Sequence, residues 1–113
     1  MALVNDKAVF EISVKGEQTG KVYSGKFVMR LFLTLKQRGQ VAVEYSKRDM
    51  GNDLDAGMSQ LNRTICEFQA MLEDCPEWFK GEKAWELEDF QPIISIREEL
   101  EAAQKEHSEK INA

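Results

Sequence analysis

Apolar residues recur at helical spacing in the middle of the chain. Steps of three and four place six of them on one stripe of an α-helix: Leu54, Met58, Leu61, Ile65, Phe68 and Leu72. Asp53 or Asp55 is suited to cap the start of this helix, and Pro76 follows its end. The pattern therefore predicts a central amphipathic helix over residues 54–74, with its stripe buried.

The N-terminal third shows a different period. Apolar and polar residues alternate over residues 8–15 and again after a turn that contains Gly16 and Gly20. This alternation is typical of strands with one solvent-facing side, and both glycines tolerate the positive φ of tight turns. We predict a β-hairpin over residues 8–34. Gly25 falls on the core-facing side of the second strand, which indicates a bulge or a close crossing.

The second predicted strand is longer than the first. If the two strands pair outward from the turn, residues 28–33 have no partner. An unpaired apolar strand end is an open edge that accepts another strand or subunit. We therefore expect partner contacts at Val28, Arg30 and Phe32.

Residues 35–50 fit two kinds of element. As a helix, the segment is capped by Thr34 and followed by Gly51. As a strand, residues 40–45 alternate, and Gly39 costs a helix about 1 kcal/mol. We favour the helix and keep a third strand as the alternative.

The connection over residues 76–90 carries an unusual aromatic load, with Trp78, Phe79 and Trp85 close together. One explanation is that these rings close the open end of a small core, each burying about 150–250 Å². The other is that they form an exposed anchor for a partner, since aromatic residues dominate interface energetics. Under the second explanation, all three residues are candidates for binding a partner.

A final helix is predicted over residues 91–110, with Pro92 in its first turn, where the missing N–H costs nothing. Its apolar stripe is Ile93, Ile96 and Leu100, joined by Ile94 and Ala103. Together these segments predict one α+β domain over residues 1–113, in which an N-terminal β-hairpin packs on two to three α-helices.

Charge is distributed unevenly. Residues 1–50 carry nine Lys/Arg against five Asp/Glu, and residues 51–113 carry six against fifteen, within a net charge of −5. The acidic second half argues against nucleic acid as a partner, because phosphate binding needs a basic face. The asymmetry is either a solvated surface or a pair of faces that meet between neighbouring chains. No apolar run approaches the roughly 18 residues that cross a bilayer, and the first residues lack signal-peptide character.

Candidate reactive groups are sparse. Cys66 lies on the predicted helix and Cys75 at its end, beside Pro76. Helical rise over nine positions separates their Cα atoms by about 13 Å, which is beyond disulfide range and indicates reduced thiols. His107 is expected at the surface. The acids of residues 86–89 and 98–101 alternate with apolar residues or lie on a solvated helix face, so no metal or catalytic role is expected for them. The pattern predicts no enzyme and no cofactor.

The order of features resembles small tailed-bacteriophage proteins of the tail assembly chaperone kind, over residues 9–104. The matching segments are Tyr23-Ser24-Gly25-Lys26-Phe27, Leu33-Thr34, Gly51, Leu61 to Leu72, Pro76-Glu77-Trp78-Phe79, Glu86-Leu87-Glu88-Asp89 and Ile93 to Leu100. One departure is Val41-Ala42-Val43-Glu44-Tyr45, which is less basic than the Arg-rich helix of such sequences.

The resemblance implies a non-enzymatic role in virion assembly, in which the protein binds tail tube or tape measure subunits and forms a homo-oligomer. It places the protein in the host cytoplasm or, if it is retained, in the virion. The alternatives are a structural subunit of the tail, neck or capsid surface, and a host-directed adaptor or inhibitor.

Overall fold

The computed structural model describes residues 7–49 and 56–112. Along the chain lie β1 (Lys7–Lys15), β2 (Val22–Arg30), α1 (Leu35–Asp49), α2 (Ala56–Met71), β3 (Leu72–Asp74) and α3 (Gln91–Ile111). Two 3₁₀ helices, Glu77–Phe79 and Gly81–Glu86, connect β3 to α3. The predicted α+β class with an N-terminal hairpin is confirmed.

The described residues fall into two compact units. We call residues 7–31 with 72–112 the sheet unit, and residues 32–49 with 56–71 the helical unit. The prediction of a single domain over residues 1–113 stays a prediction.

The sheet unit is built on the predicted hairpin. Strands β1 and β2 pair antiparallel without a break, from Lys7 opposite Arg30 to Lys15 opposite Val22. Alternation buries one face, as the sequence indicated, and Phe27 on that face is fully buried and stacks on Phe10 at 5.5 Å between ring centroids. The hairpin therefore supplies one wall of a core.

Helix α3 runs from Gln91 to Ile111 with Pro92 in its first turn, as predicted. Its residues Ile93, Ile96 and Leu100 are buried. Ile94 is 42% exposed, so its assignment to the stripe was wrong. One step along a helix turns the side chain by about 100°, which carries Ile94 off the face that holds Ile93.

The predicted open edge at residues 28–33 is wrong. The strand order is β1-β2-β3, so β2 is central, and Val28 pairs with Val9 on one side and Asp74 on the other. The third strand comes from residues 72–74, which the helical spacing had assigned to the central helix. Helix α2 ends at Met71 instead, because pairing with β2 competes with the last helical turn.

Gly25 marks a close crossing, as its position predicted. Its φ is 154°, and a Cβ built on it would lie 2.2 Å from Cγ of Pro76. No larger residue fits there without displacing the proline ring, so Gly25 lets the segment after β3 pack directly on β2.

In the helical unit, residues 35–49 form a helix and not a strand. Thr34 and Gln37 form a reciprocal cap, since the Thr34 hydroxyl accepts from the Gln37 N–H at 3.1 Å and the Gln37 amide oxygen accepts from the Thr34 N–H at 2.9 Å. Gly39 is tolerated inside the helix, with no atom within 4 Å of its Cβ position. The cap and the tertiary packing outweigh the cost of this glycine.

Only part of the apolar stripe predicted for the central helix is buried on α2. Ile65 and Phe68 are buried, Leu61 is half-buried, and Met58 is 42% exposed. The predicted caps Asp53 and Asp55, and Leu54, lie outside the described residues. Cys66 is buried and Cys75 half-buried, and both are free thiols whose pKa values are raised by burial.

Candidate interaction groove

The turn between β1 and β2 is held by a carboxylate from the far end of the chain. One oxygen of Asp89 accepts from the backbone N–H groups of Gln18, at 2.8 Å, and Thr19, at 3.2 Å. The other accepts from the Thr19 hydroxyl at 2.6 Å and the Tyr23 hydroxyl at 2.8 Å. We call these four groups, Gln18, Thr19, Tyr23 and Asp89, the turn lock.

Hydrogen bonds and burial shift the pKa values of the two ionisable members of the turn lock, Asp89 and Tyr23. The pKa of Asp89 falls to about 2, chiefly because Thr19 donates to the carboxylate, with Tyr23 and the two N–H groups adding to the effect against the opposing effect of burial. The pKa of Tyr23 is raised, first by burial and then by its hydrogen bond to Asp89. The site therefore contains a carboxylate that stays ionised and a phenol that stays protonated.

Gly16 makes room for this carboxylate. A Cβ at Gly16 would lie 2.1 Å from an Asp89 oxygen, closer than any stable contact. Two backbone hydrogen bonds close the turn beside it, from the Gly16 N–H to the Lys21 carbonyl and from the Gly20 N–H to the Gly16 carbonyl. Both turn glycines are thus used, Gly16 for the close approach and Gly20 for its φ of 76°.

The turn lock was not predicted. Asp89 was not distinguished from its acidic neighbours, for which only the lack of a catalytic or metal site was predicted, yet it is only 4% exposed. Its partners lie 66 to 71 positions earlier in the chain, so no local period links them. The only signal was an acid placed between apolar Leu87 and Phe90, just before α3.

A groove of about 440 Å³ opens beside the turn lock. Its walls are residues 21–23 on one side and residues 86–88 on the other, and Trp78 is part of its lining. Val22 is 65% exposed and Leu87 half-buried, so the groove offers apolar surface to a ligand.

Trp78 is fixed in position by several contacts. Its indole N–H donates to the Ser24 carbonyl at 3.0 Å. Its ring meets Tyr23 at 5.3 Å and Phe27 at 5.8 Å between centroids, both edge to face. The side chain is nevertheless only half-buried. A held ring that still faces solvent is suited to act as an anchor, because little conformational freedom is lost on binding.

Charged groups flank the groove on both walls. Lys21 Nζ lies 3.5 Å from a Glu88 oxygen, and both side chains are more than 60% exposed, so this pair is weak. Glu86 adds a second acid on the same wall. The rim is therefore acidic in balance.

Of the predicted site residues, the structure places Trp78 in the groove and Phe79 beneath it. Phe79 is fully buried, with its ring 5.7 Å from Phe27 and 5.9 Å from Trp78. The core explanation is therefore correct for Phe79, and a partner cannot reach it. Trp85 is half-buried on the second 3₁₀ helix.

The strand-edge candidates are not brought together with the aromatic ones. Val28 is half-buried between two strands, and Arg30 is exposed at the end of β2. Phe32 is 44% exposed and belongs to the helical unit. The groove instead uses Val22, Tyr23 and Leu87, which were not among the predicted partner contacts.

Within residues 7–49 and 56–112, no three His, Cys, Asp or Glu side chains lie together as metal ligands would. No helix in those ranges is long and apolar enough to cross a bilayer. No protein-family model, curated protein or solved structure matches the chain significantly.

Proposed function

We propose that this chain is a non-enzymatic protein that binds other protein chains during bacteriophage assembly, in the manner of a tail assembly chaperone. The ordered motifs over residues 9–104 suggest the class. The observation that supports a protein-binding role is the fixed, half-buried ring of Trp78 in an open groove.

The groove indicates the chemistry of its ligand. Val22, Tyr23, Trp78 and Leu87 suit an apolar side chain, and the acids Glu86 and Glu88 suit a basic residue beside it. A segment of a tail tube or tape measure subunit with an apolar residue next to Lys or Arg is the ligand we propose. The protein would cover that segment until the subunit assembles.

Coexpression tests this proposal. The chain is produced with the tail tube and tape measure proteins encoded by the same genome, and copurification is quantified. Trp78→Ala should weaken binding about 30-fold or more, because a truncated hot-spot residue costs about 2 kcal/mol or more. Val22→Lys, at a 65% exposed position of the groove, should weaken binding without touching the core, because it removes apolar surface and repels the basic residue of the ligand.

Val9→Ala is the matched control, because it trims a 49% exposed apolar residue of β1 outside the groove. It should leave copurification unchanged. Equal binding by Trp78→Ala, Val22→Lys and the control, with circular dichroism showing all three folded, would remove the groove from the function.

Two alternative roles are separated by mass spectrometry of purified particles. A chaperone should be nearly absent from them, whereas a structural subunit should be present in many copies. A host-directed adaptor should instead copurify with one host protein. The uneven charge of the two halves keeps the structural subunit as the second candidate, since opposite faces could pack copies together.

A further inference from the structure

Helix α1 has a long outward side. Val41 is buried and faces inward, while Leu35 is 87% and Val43 56% exposed. Gly39 lies between these two on the same side, with open space at its Cβ position. A helical turn separates successive members, so they form a shallow apolar stripe of the kind that packs on another helix.

Two lysines border this stripe. Lys36 and Lys47 are exposed and stand eleven positions apart. Eleven residues make about three turns, so the two ammonium groups lie on one side of α1, about 16.5 Å apart along the axis.

Helix α3 has an outward side on which two acids stand at the same spacing, with exposed Lys105 between them. Glu98 and Glu109 are exposed and also stand eleven positions apart. Exposed Ala102 lies between them, four positions after Glu98. The spacing of these two acids therefore equals that of the two lysines on α1.

We propose that α1 of one copy docks antiparallel on α3 of a second copy, with Lys36 opposite Glu109 and Lys47 opposite Glu98. In this register Val43, four positions before Lys47, lies opposite Ala102, whose small side chain admits it. Antiparallel docking also opposes the two helix dipoles favourably. This inference shares one premise with the proposed function, that the chain acts through contacts with other protein chains. It does not involve the groove.

The two surfaces differ, so the contact is heterologous, and each copy presents one α1 and one α3 to its neighbours. A helix of 15 residues is about 22 Å long, and a contact of that length buries less than the about 800 Å² per partner of a stable interface. Self-association is therefore weak. Salt should weaken it further, because two exposed ion pairs contribute to it.

Sedimentation velocity with a charge swap tests the proposal. The wild type should self-associate at about 0.1–1 mM protein in low salt, the range expected for a small interface. Lys36→Glu/Lys47→Glu should weaken self-association at least about tenfold, because acid then faces acid, and Glu98→Lys/Glu109→Lys should do the same. An equimolar mixture of the two variants should associate again.

The control is Lys15→Glu/Lys26→Glu, which makes the same change in charge at exposed positions of the hairpin and should self-associate like the wild type. Three results would overturn the proposal: a monomeric wild type at about 1 mM, a mixture that stays monomeric, or variants that associate unchanged. Anionic vesicles that bind the wild type but not Lys36→Glu/Lys47→Glu, without self-association, would assign α1 to a membrane surface and also overturn it. The self-association test is independent of the groove, so loss of tail-protein binding by Trp78→Ala would neither support nor overturn the α1–α3 contact.

Discussion

The sheet unit and the helical unit are stabilised in different ways. The sheet unit is tied by contacts between distant parts of the chain, above all the four hydrogen bonds of Asp89 to the hairpin turn. The helical unit depends on closer neighbours, such as the Asp49 carboxylate, which accepts from Ser59 and from Asn62 at 2.9 Å. Its cap at Thr34 is local as well.

In the two roles proposed above, this difference determines what each unit offers to a partner. In the sheet unit the long-range contacts hold Trp78 and Tyr23 rigidly at a groove, which favours a specific and preorganised contact. In the helical unit the outward side of α1 is an extended surface of exposed side chains, which favours a weak and electrostatic contact. We therefore expect the two surfaces to respond differently to mutation, pH and salt.

A glycine-to-alanine substitution should lower the stability of the protein at Gly25 in the sheet unit and raise it at Gly39 in the helical unit. The larger change is expected at Gly25. Gly25→Ala should destabilise the protein by about 2–4 kcal/mol, from backbone strain at positive φ and from overlap with Pro76. Urea unfolding measures the loss. A cost below about 0.5 kcal/mol, the level of an ordinary surface substitution, would show that Pro76 does not pack on Gly25.

The turn lock should make the sheet unit sensitive to acid. The folded pKa of Asp89, about 2, lies below the ordinary value of 3.8, so its contribution to stability is complete above about pH 4 and is lost as the pH falls toward about 2. Asp89→Asn should lower the free energy of unfolding at pH 7 and flatten its decline below pH 4.

Glu88→Gln is the matched control for this prediction, because Glu88 is the exposed neighbour of Asp89. Chemical unfolding at a series of pH values should show the wild-type decline in the control. The pKa values of Asp49 and Glu77 are also lowered by their hydrogen-bond partners, and their contribution remains in both variants. Identical pH profiles for Asp89→Asn and the wild type would contradict the turn lock.

The smallest effect is expected in the helical unit. Gly39→Ala should stabilise the protein by about 0.5–1 kcal/mol, because alanine restricts the unfolded chain and its Cβ meets open space. The midpoint of urea unfolding should rise. A decrease would indicate that the outward side of α1 is covered at Gly39.

Elements with a local signal could be predicted from the sequence. The hairpin, α1 and α3 were found because alternation, the Thr34 cap and Pro92 act within a few residues. Residues 72–74 were assigned to the helix because Leu72 continues its local apolar spacing. Their pairing with β2 joins segments more than 40 positions apart, and no local pattern shows it. Proximity in sequence cannot show which strand competes for a segment.

The candidate site was predicted only in part for the same reason. An aromatic cluster was visible, but the sequence could not tell that Phe79 is sealed in the core while Trp78 faces a groove. That distinction depends on Ser24 and Tyr23, which lie more than 50 positions earlier. Asp89 was hidden because a buried acid and a solvated acid look alike until their partners are known.

The central claim, that Trp78 is the contact residue for a partner, is tested most directly by its own fluorescence. The chain has two tryptophans, so Trp85→Phe leaves Trp78 as its only one, and the emission of the tail protein measured alone is subtracted. Adding the tail protein that copurifies should shift the emission to shorter wavelength and reduce quenching by acrylamide, because binding removes water from the indole ring. Binding detected by sedimentation with unchanged emission and quenching would contradict the account.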